Sequence, residues 1–221
     1  MIPLKDDNPR SKTPVVTIGL IVINILVFYF EIKFGVQAFV LRFGAIPMNI
    51  LHGQALPTLF TSMFLHGGFL HVGGNMLYLW IFGDNVENIM GRGKFLAFYV
   101  LCGLIAALTH IIMSGSSQVP MVGASGAIAG VLGAYVVRFP RAKVLVLIPL
   151  FWFIIFRQIP ALFVLGFWFL LQLFSGFVVS GVQQSDSGGV AFWAHIGGFV
   201  AGMLLVHIFA KKKTRQWDFE R

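Results

Sequence analysis

The sequence predicts an all-α polytopic membrane protein: a six-transmembrane-helix bundle of one domain, residues 1–221, with a long first outer loop. Three observations carry this expectation. Hydrophobic residues make up 57% of the 221 residues and charged ones only 11%, against about 25% charged in soluble chains. Several apolar runs are long enough to cross a bilayer. The basic residues sit in short clusters beside those runs, as in loops that face anionic lipid.

The elements follow in order. Residues 14–30 form the first span. Its length, the lack of an A-x-A-like cleavage site and the spans that follow argue against a signal peptide. Residues 31–69 mix Gly, Pro and scattered aromatics, with no run able to cross, and make the long outer loop. The second span covers 70–90, and "GRGK" turns the chain into the third, 95–113. After the polar "SGSSQ" comes a short fourth span, 125–139; residues 161–179 and 190–210 are the last two. Between them, 144–156 ("VLVLIPLFWFIIF") is apolar but interrupted by Pro149. It falls well short of the roughly 20 residues a span needs. An interfacial or re-entrant segment is expected there, since its aromatics suit that zone.

Charge tests the span count. With six spans and an inner N-terminus, every basic residue except Lys33 and Arg42 falls on the inner side: Lys5, Arg10 and Lys12; Arg92 and Lys94; Arg138, Arg141, Lys143 and Arg157; and the tail from Lys211 to Arg221. A seventh span would carry Lys211, Lys212 and Lys213 outside, against the positive-inside rule. The net charge of +8 is thus placed for membrane lipids, and nucleic acid is not an expected partner. The single cysteine, Cys102, excludes an internal disulfide and reads as a small core residue.

This topology gathers polar side chains at one depth. Ser125 opens the fourth span from the outer side, His195 lies about one and a half turns into the sixth, and His71 and Asn75 lie in the first turns of the second. The i, i+4 spacing of His71 and Asn75 sets them on one helix face. Under seven spans His195 would move to the opposite side from Ser125. Charge and chemistry select the same topology.

Such a set suits acyl transfer. A serine hydroxyl is a weak nucleophile until a neighbouring imidazole takes its proton. The oxyanion that follows needs preorganised donors, each commonly worth about 2.7–4 kcal/mol. Asn75, His71 and the Ser125 backbone N–H can donate, and a helix N-terminus adds partial positive charge. Gly123 and Gly126 allow a tight turn and close backbone approach. Each feature alone has a plainer reading. The spacings Gly126–Gly130 and Gly198–Gly202 are generic packing devices, and a serine in a membrane helix usually bonds its own backbone. Their convergence carries the reading.

With "FLHGGFLHVGGNM" (64–76), "GASG" (123–126) and "AHIGGFVAG" (194–202) in that order and separation, the sequence resembles the rhomboid family of intramembrane serine proteases, from the first span to the sixth. The resemblance implies Ser125 as nucleophile and His195 as general base, a dyad rather than a triad. It implies His71 and Asn75 as oxyanion donors, with Gly123, Gly126 and Gly198 supporting the site. The expected reaction is hydrolysis of a peptide bond in or near a substrate's own transmembrane helix, at small residues, with no metal or cofactor. Asp186, nine residues before His195, is not expected to orient the imidazole.

The chain departs from the family pattern twice. Ala129 stands where many members carry an aromatic against the base, so Trp193 or an aromatic of another span would have to hold His195. "LPTLF" (56–60) stands where a Trp-Arg pair is common. A non-proteolytic binding or quality-control module is the alternative function. A transporter would need inverted repeats and midplane charges, and neither is found. Zinc on His66, His71 and His195 lacks an H-E-x-x-H motif or an acid at that depth, and Ala127 breaks the soluble-hydrolase elbow G-x-S-x-G. His66 is expected to brace the loop, and Asp84, Glu87 and Asn88 to pair with Arg92 or Lys94 or to cap helices. Phe167, Trp168, Phe169 and Phe174 mark the fifth span as a candidate substrate gate. The expected location is a bacterial inner membrane, both termini cytoplasmic, with the site opening to the periplasm. Oligomeric state is not legible.

Overall fold

The computed structural model describes residues 1–9, 12–150, 152–181 and 191–210. Asp186, Arg10 and the basic residues from Lys211 to Arg221 lie outside them. A helix covers each long apolar segment: α1 (Val15–Phe34), α5 (Phe69–Met90), α6 (Arg92–Ser114), α7 (Ser125–Arg138), α8 (Ala161–Gly181) and α9 (Phe192–Phe209). The segment between α1 and α5 folds into three short helices, α2 (Val36–Phe43), α3 (Pro47–Leu51) and α4 (Thr58–Thr61), and a 3-10 turn, Ser62–Phe64. This is a polytopic helical membrane fold. Four of the long helices, α1, α6, α8 and α9, are long and apolar enough to cross a membrane, and α7 is a shorter apolar helix. The polar residues of α5, among them His71, Asn75, Asp84 and Glu87, set it apart, and all but His71 of these are buried.

Contacts at the helix ends fix the directions. Thr17 near the start of α1 meets Glu87 near the end of α5, and Glu31 near the end of α1 meets His66, just before α5. Hence α1 and α5 are antiparallel. α7 and α9 both start at the end where Ser125 lies, with α8 rising beside α9 from the opposite end. Outward faces carry large exposed side chains such as Leu26, Ile112, Phe163 and Ile208, a surface that only lipid solvates well. The core between the helices is built on Leu79, Phe82, Tyr99, Leu132 and Tyr135, all fully buried.

The departure from an all-helical chain is a three-stranded antiparallel sheet at the end remote from Ser125. It joins β1 (Ile2–Asp6), β2 (Lys143–Leu150) and β3 (Phe153–Pro160) in that order. The 144–156 segment is therefore a β-hairpin, paired from Lys143↔Pro160 to Leu150↔Phe153. Its length was too short for a span, and its Val/Ile/Leu/Phe content suits strands. Alternation decides which face is covered: Val144 and Val146 are buried, while Trp152, Phe153 and Ile154 at the tip are exposed. No local signal announced its partner, because β1 lies more than a hundred residues away in sequence.

A polar clasp holds β1 to the bundle. Asp6 Oδ2 accepts hydrogen bonds from Tyr135 (2.6 Å), Asn85 (2.9 Å) and Asn8 (3.3 Å). The Asp7 carboxylate accepts the Lys143 N–H at 2.8 Å.

Candidate active site

The site begins with the shortness of α7. Fourteen residues rise about 21 Å, whereas the hydrocarbon core is about 30 Å thick. The first residue of α7, Ser125, therefore starts inside the fold, and the preceding strand of chain must descend to it. Two sets of backbone bonds hold that descent. Ala45 and Met121 exchange N–H···O bonds at 3.0 and 2.8 Å, and the Gly123 N–H donates to Ser62 O at 2.9 Å. Gly123 turns the chain at φ +126°, a backbone region that costs a side-chain-bearing residue dearly. The first-turn N–H groups of α7, that of Ser125 among them, have no intrahelical acceptor.

α9 crosses α7 at glycine distance. A Cβ at Gly198 would collide with the Gly126 carbonyl, and one at Gly202 with that of Gly130. This approach brings the first turn of α9 against the start of α7. His195 Nε2 then lies 2.8 Å from Ser125 Oγ. His195 is 8% exposed.

The rest of the imidazole is held by α8. Gln172 Oε1 lies 2.7 Å from His195 Nδ1, and Trp168, one turn earlier, packs its ring 5.7 Å from the imidazole at 37°. An amide oxygen can only accept, so Nδ1 carries the hydrogen and Nε2 presents its lone pair to the serine hydroxyl. Trp193 packs against Phe177 instead, edge-on at 5.5 Å. The aromatic beside His195 thus comes from another helix, and Ala129 is buried in the core. Sequence reasoning missed Gln172. The available signal was an amide within a strongly apolar span, which is a functional candidate by default, at i, i+4 from a tryptophan.

α5 supplies the opposite wall. The Gly67 N–H donates to His71 Nδ1 at 3.4 Å, which leaves the hydrogen on Nε2. That atom would stand 2.8 Å from a Cβ placed on Gly123, itself 3.5 Å from Ser125 Oγ. Asn75 is buried, and its Nδ2 has no hydrogen-bond partner among the described residues. A buried amide donor left open costs free energy unless something completes it. The structure therefore brings Ser125, His195, His71, Gly123, Gly126 and Gly198 to one place, with Asn75 one turn below His71.

The remaining candidates sort out around this. His66 is fully buried; its N–H donates to both Glu31 carboxylate oxygens at 3.1 and 3.0 Å, and its ring packs edge-on to His71. Burial lowers its pKa to about 4, so the imidazole is neutral. The brace to α1 is the His66 backbone N–H on Glu31, while neither ring nitrogen has a hydrogen-bond partner among the described residues. His52 bonds Met48 O, His110 lies against Ser114, and Cys102 is buried against Gly130. Among the described residues no group of three or more His, Cys, Asp or Glu is placed to hold a metal. A cavity of about 10 Å³ touches Ser125, lined by Met63, Gly103, Ala106, Ala107, Ala127 and Ala194 among others. A larger one, about 350 Å³, lies at the remote end among Lys12, Asp84, Glu87, Asn88 and Arg92.

A rhomboid domain model matches residues 53–212. The chain belongs to the rhomboid family. It is 32% identical to the rhomboid protease GluP of Bacillus subtilis over 198 residues, 87% of this chain and 34% of that one. It is 31% identical to RHOMBOID-like protein 5 of Arabidopsis thaliana, covering 75% of this chain and 54% of the relative. To the mitochondrial Rhomboid protein 1 of Saccharomyces cerevisiae it is 31% identical over 70% of this chain and 42% of the other. This rhomboid chain spans about half or less of the length of these curated relatives.

Proposed function

We propose that the protein is an intramembrane serine endopeptidase working by a Ser125–His195 dyad on transmembrane-helix substrates. The observation that carries the reading is the 2.8 Å approach of His195 Nε2 to Ser125 Oγ in a chain of the rhomboid family. As Oγ attacks the scissile carbonyl carbon, its proton passes to Nε2. The new oxyanion meets the Ser125 N–H, His71 Nε2–H and the open Asn75 amide. His195 then gives the proton to the leaving amine as the C–N bond breaks. Water, deprotonated by the same nitrogen, hydrolyses the acyl-enzyme and frees Oγ.

Small residues at the cut are supported by the cavity beside Ser125, whose volume of about 10 Å³ has no room for a large side chain. α8, with Phe167 and Phe174 exposed, is the proposed lateral gate. The bias of basic residues toward the end holding β1 and the α5–α6 turn makes that end cytoplasmic, with all six long helices crossing and Ser125 opening to the outer side of an inner membrane. Trp168 and Gln172 speak for the proteolytic reading over a non-proteolytic module, because they hold the imidazole from α8 where Ala129 offers no aromatic.

Purified protein should be incubated in detergent with a single-span substrate bearing small residues at its outer end, beside Ser125→Ala and His195→Ala. Cleavage by wild type and silence of both variants supports the reading. Should wild type neither cleave nor react at Ser125 with a fluorophosphonate, the non-proteolytic reading replaces it.

A further inference from the structure

We infer that Gln172 is the positioning residue of the site, converting the dyad into a relay Ser125–His195–Gln172; the inference rests on the dyad reading above. His195 is held at three points. Nδ1 is 2.7 Å from Gln172 Oε1, Nε2 is 2.8 Å from Ser125 Oγ, and the Trp168 ring covers a face at 5.7 Å. Trp168 and Gln172 sit one turn apart on α8, so a single helix face provides both the stacking surface and the acceptor.

The chemistry requires such an acceptor. A neutral imidazole carries its hydrogen on either nitrogen, and only the Nδ1–H form leaves Nε2 free to take the serine proton. The amide oxygen of Gln172 selects that form. When Nε2 is protonated during attack, both nitrogens become donors, and Nδ1–H keeps the same partner. No group has to reorganise. Being neutral, Gln172 orients the ring without the charge an aspartate would add. The titratable side chains that act on His195 among the described residues are the histidines His71 of α5 and His110 of α6. An amide in the middle of an otherwise apolar helix also bears a solvation cost, which this bond offsets.

Because Gln172 belongs to α8, the acceptor and the proposed gate are one element. A swing of α8 away from α9 would release Nδ1 and the tryptophan together, so the relay forms only when α8 packs against His195.

The test compares kcat, KM and the pH dependence of kcat/KM for wild type, Gln172→Leu, Gln172→Met and Gln172→Glu, with Ser125→Ala as the baseline. Leu and Met keep the volume in an apolar setting, so at least one folded apolar variant is available. Each should lose about 10- to 100-fold in kcat, the scale seen when a metal-bound histidine loses the partner that orients it, with KM little changed. Gln172→Glu can only accept and should recover most of that rate. Its negative charge favours the imidazolium, so the acidic limb of its profile should move to higher pH. Wild-type kcat in the apolar variants would overturn the proposal, as would a Glu variant as slow as they are with an unshifted limb. If Ser125→Ala itself cleaves at the wild-type rate, the dyad reading fails first, and the relay with it.

Discussion

Glu87 of α5 closes the amino end of α1 through Thr17. One carboxylate oxygen accepts both the Thr17 N–H and its hydroxyl, each at 2.8 Å, while the other accepts the Val16 N–H at 3.0 Å. A helix with Pro14 at its cap position has no side chain of its own to cap it; a neighbouring helix does so instead, with negative charge at the positive end of the dipole. Replacing Glu87 by Ala strands these donors in a buried place. We expect a loss of about 1–3 kcal/mol, read as a lower unfolding midpoint in detergent, with cleavage per folded molecule unchanged. Glu87→Gln should fall between.

Asn75→Ala removes the open amide donor below His71. If that donor meets the oxyanion, kcat should fall about 10²- to 10³-fold while KM moves little, because the donor acts on charge that exists only in the transition state. Steady-state cleavage of a fluorescent single-span substrate separates the two. A pure rise in KM would assign Asn75 to ground-state binding.

Gly123→Ala combines two penalties at one atom. The backbone angle of +126° is unfavourable for alanine, and its methyl would stand 2.8 Å from His71 Nε2. Relief requires moving either the chain ahead of Ser125 or the His71 ring. The variant should fold with a stability loss of about 1–3 kcal/mol and react far more slowly with a fluorophosphonate. Labelling kinetics at equal folded concentration give the answer.

Asp6 sets a pH dependence for the β1 clasp. Burial, opposed by the Tyr135 hydrogen bond and aided by the nearby Asp84 and Asp7 charges, raises its pKa above the usual 3.8. The folded state therefore holds this proton more tightly than the unfolded chain does. Its contribution is complete in acid and is lost as pH rises through the raised value. All three donors fall on Oδ2, so a proton on Oδ1 disturbs none of them. Hydrogen exchange of β1 should quicken as pH climbs through that range, after correction for the intrinsic rate. Asp6→Asn should remove the step.

How much was legible can be read from particular residues. Ser125, His195, His71 and Asn75 could be placed from order and spacing because membrane helices are long, nearly straight and forced to alternate direction, so sequence position converts into depth. The hairpin at 144–156 could not, because thirteen apolar residues are equally consistent with a strand or a buried helix and β1 was needed to decide. Gln172 was hidden for a similar reason: position along α8 gives its depth, while the side it faces depends on how α8 leans on α9.

By itself, then, the sequence determined the membrane class, the helical character of its long apolar segments and the polar set near one face, through composition, charge bias and motif spacing. The tertiary structure alone decided what completes that set. The glycine contacts of α7 and α9 bring Ser125 within 2.8 Å of His195, and the packing of α8 delivers Trp168 and Gln172 to the imidazole. Hydrophobicity specifies that a helix is in the membrane and roughly how deep each residue lies. Only side-chain packing between helices fixes rotation about each axis, and that rotation decides which atoms meet.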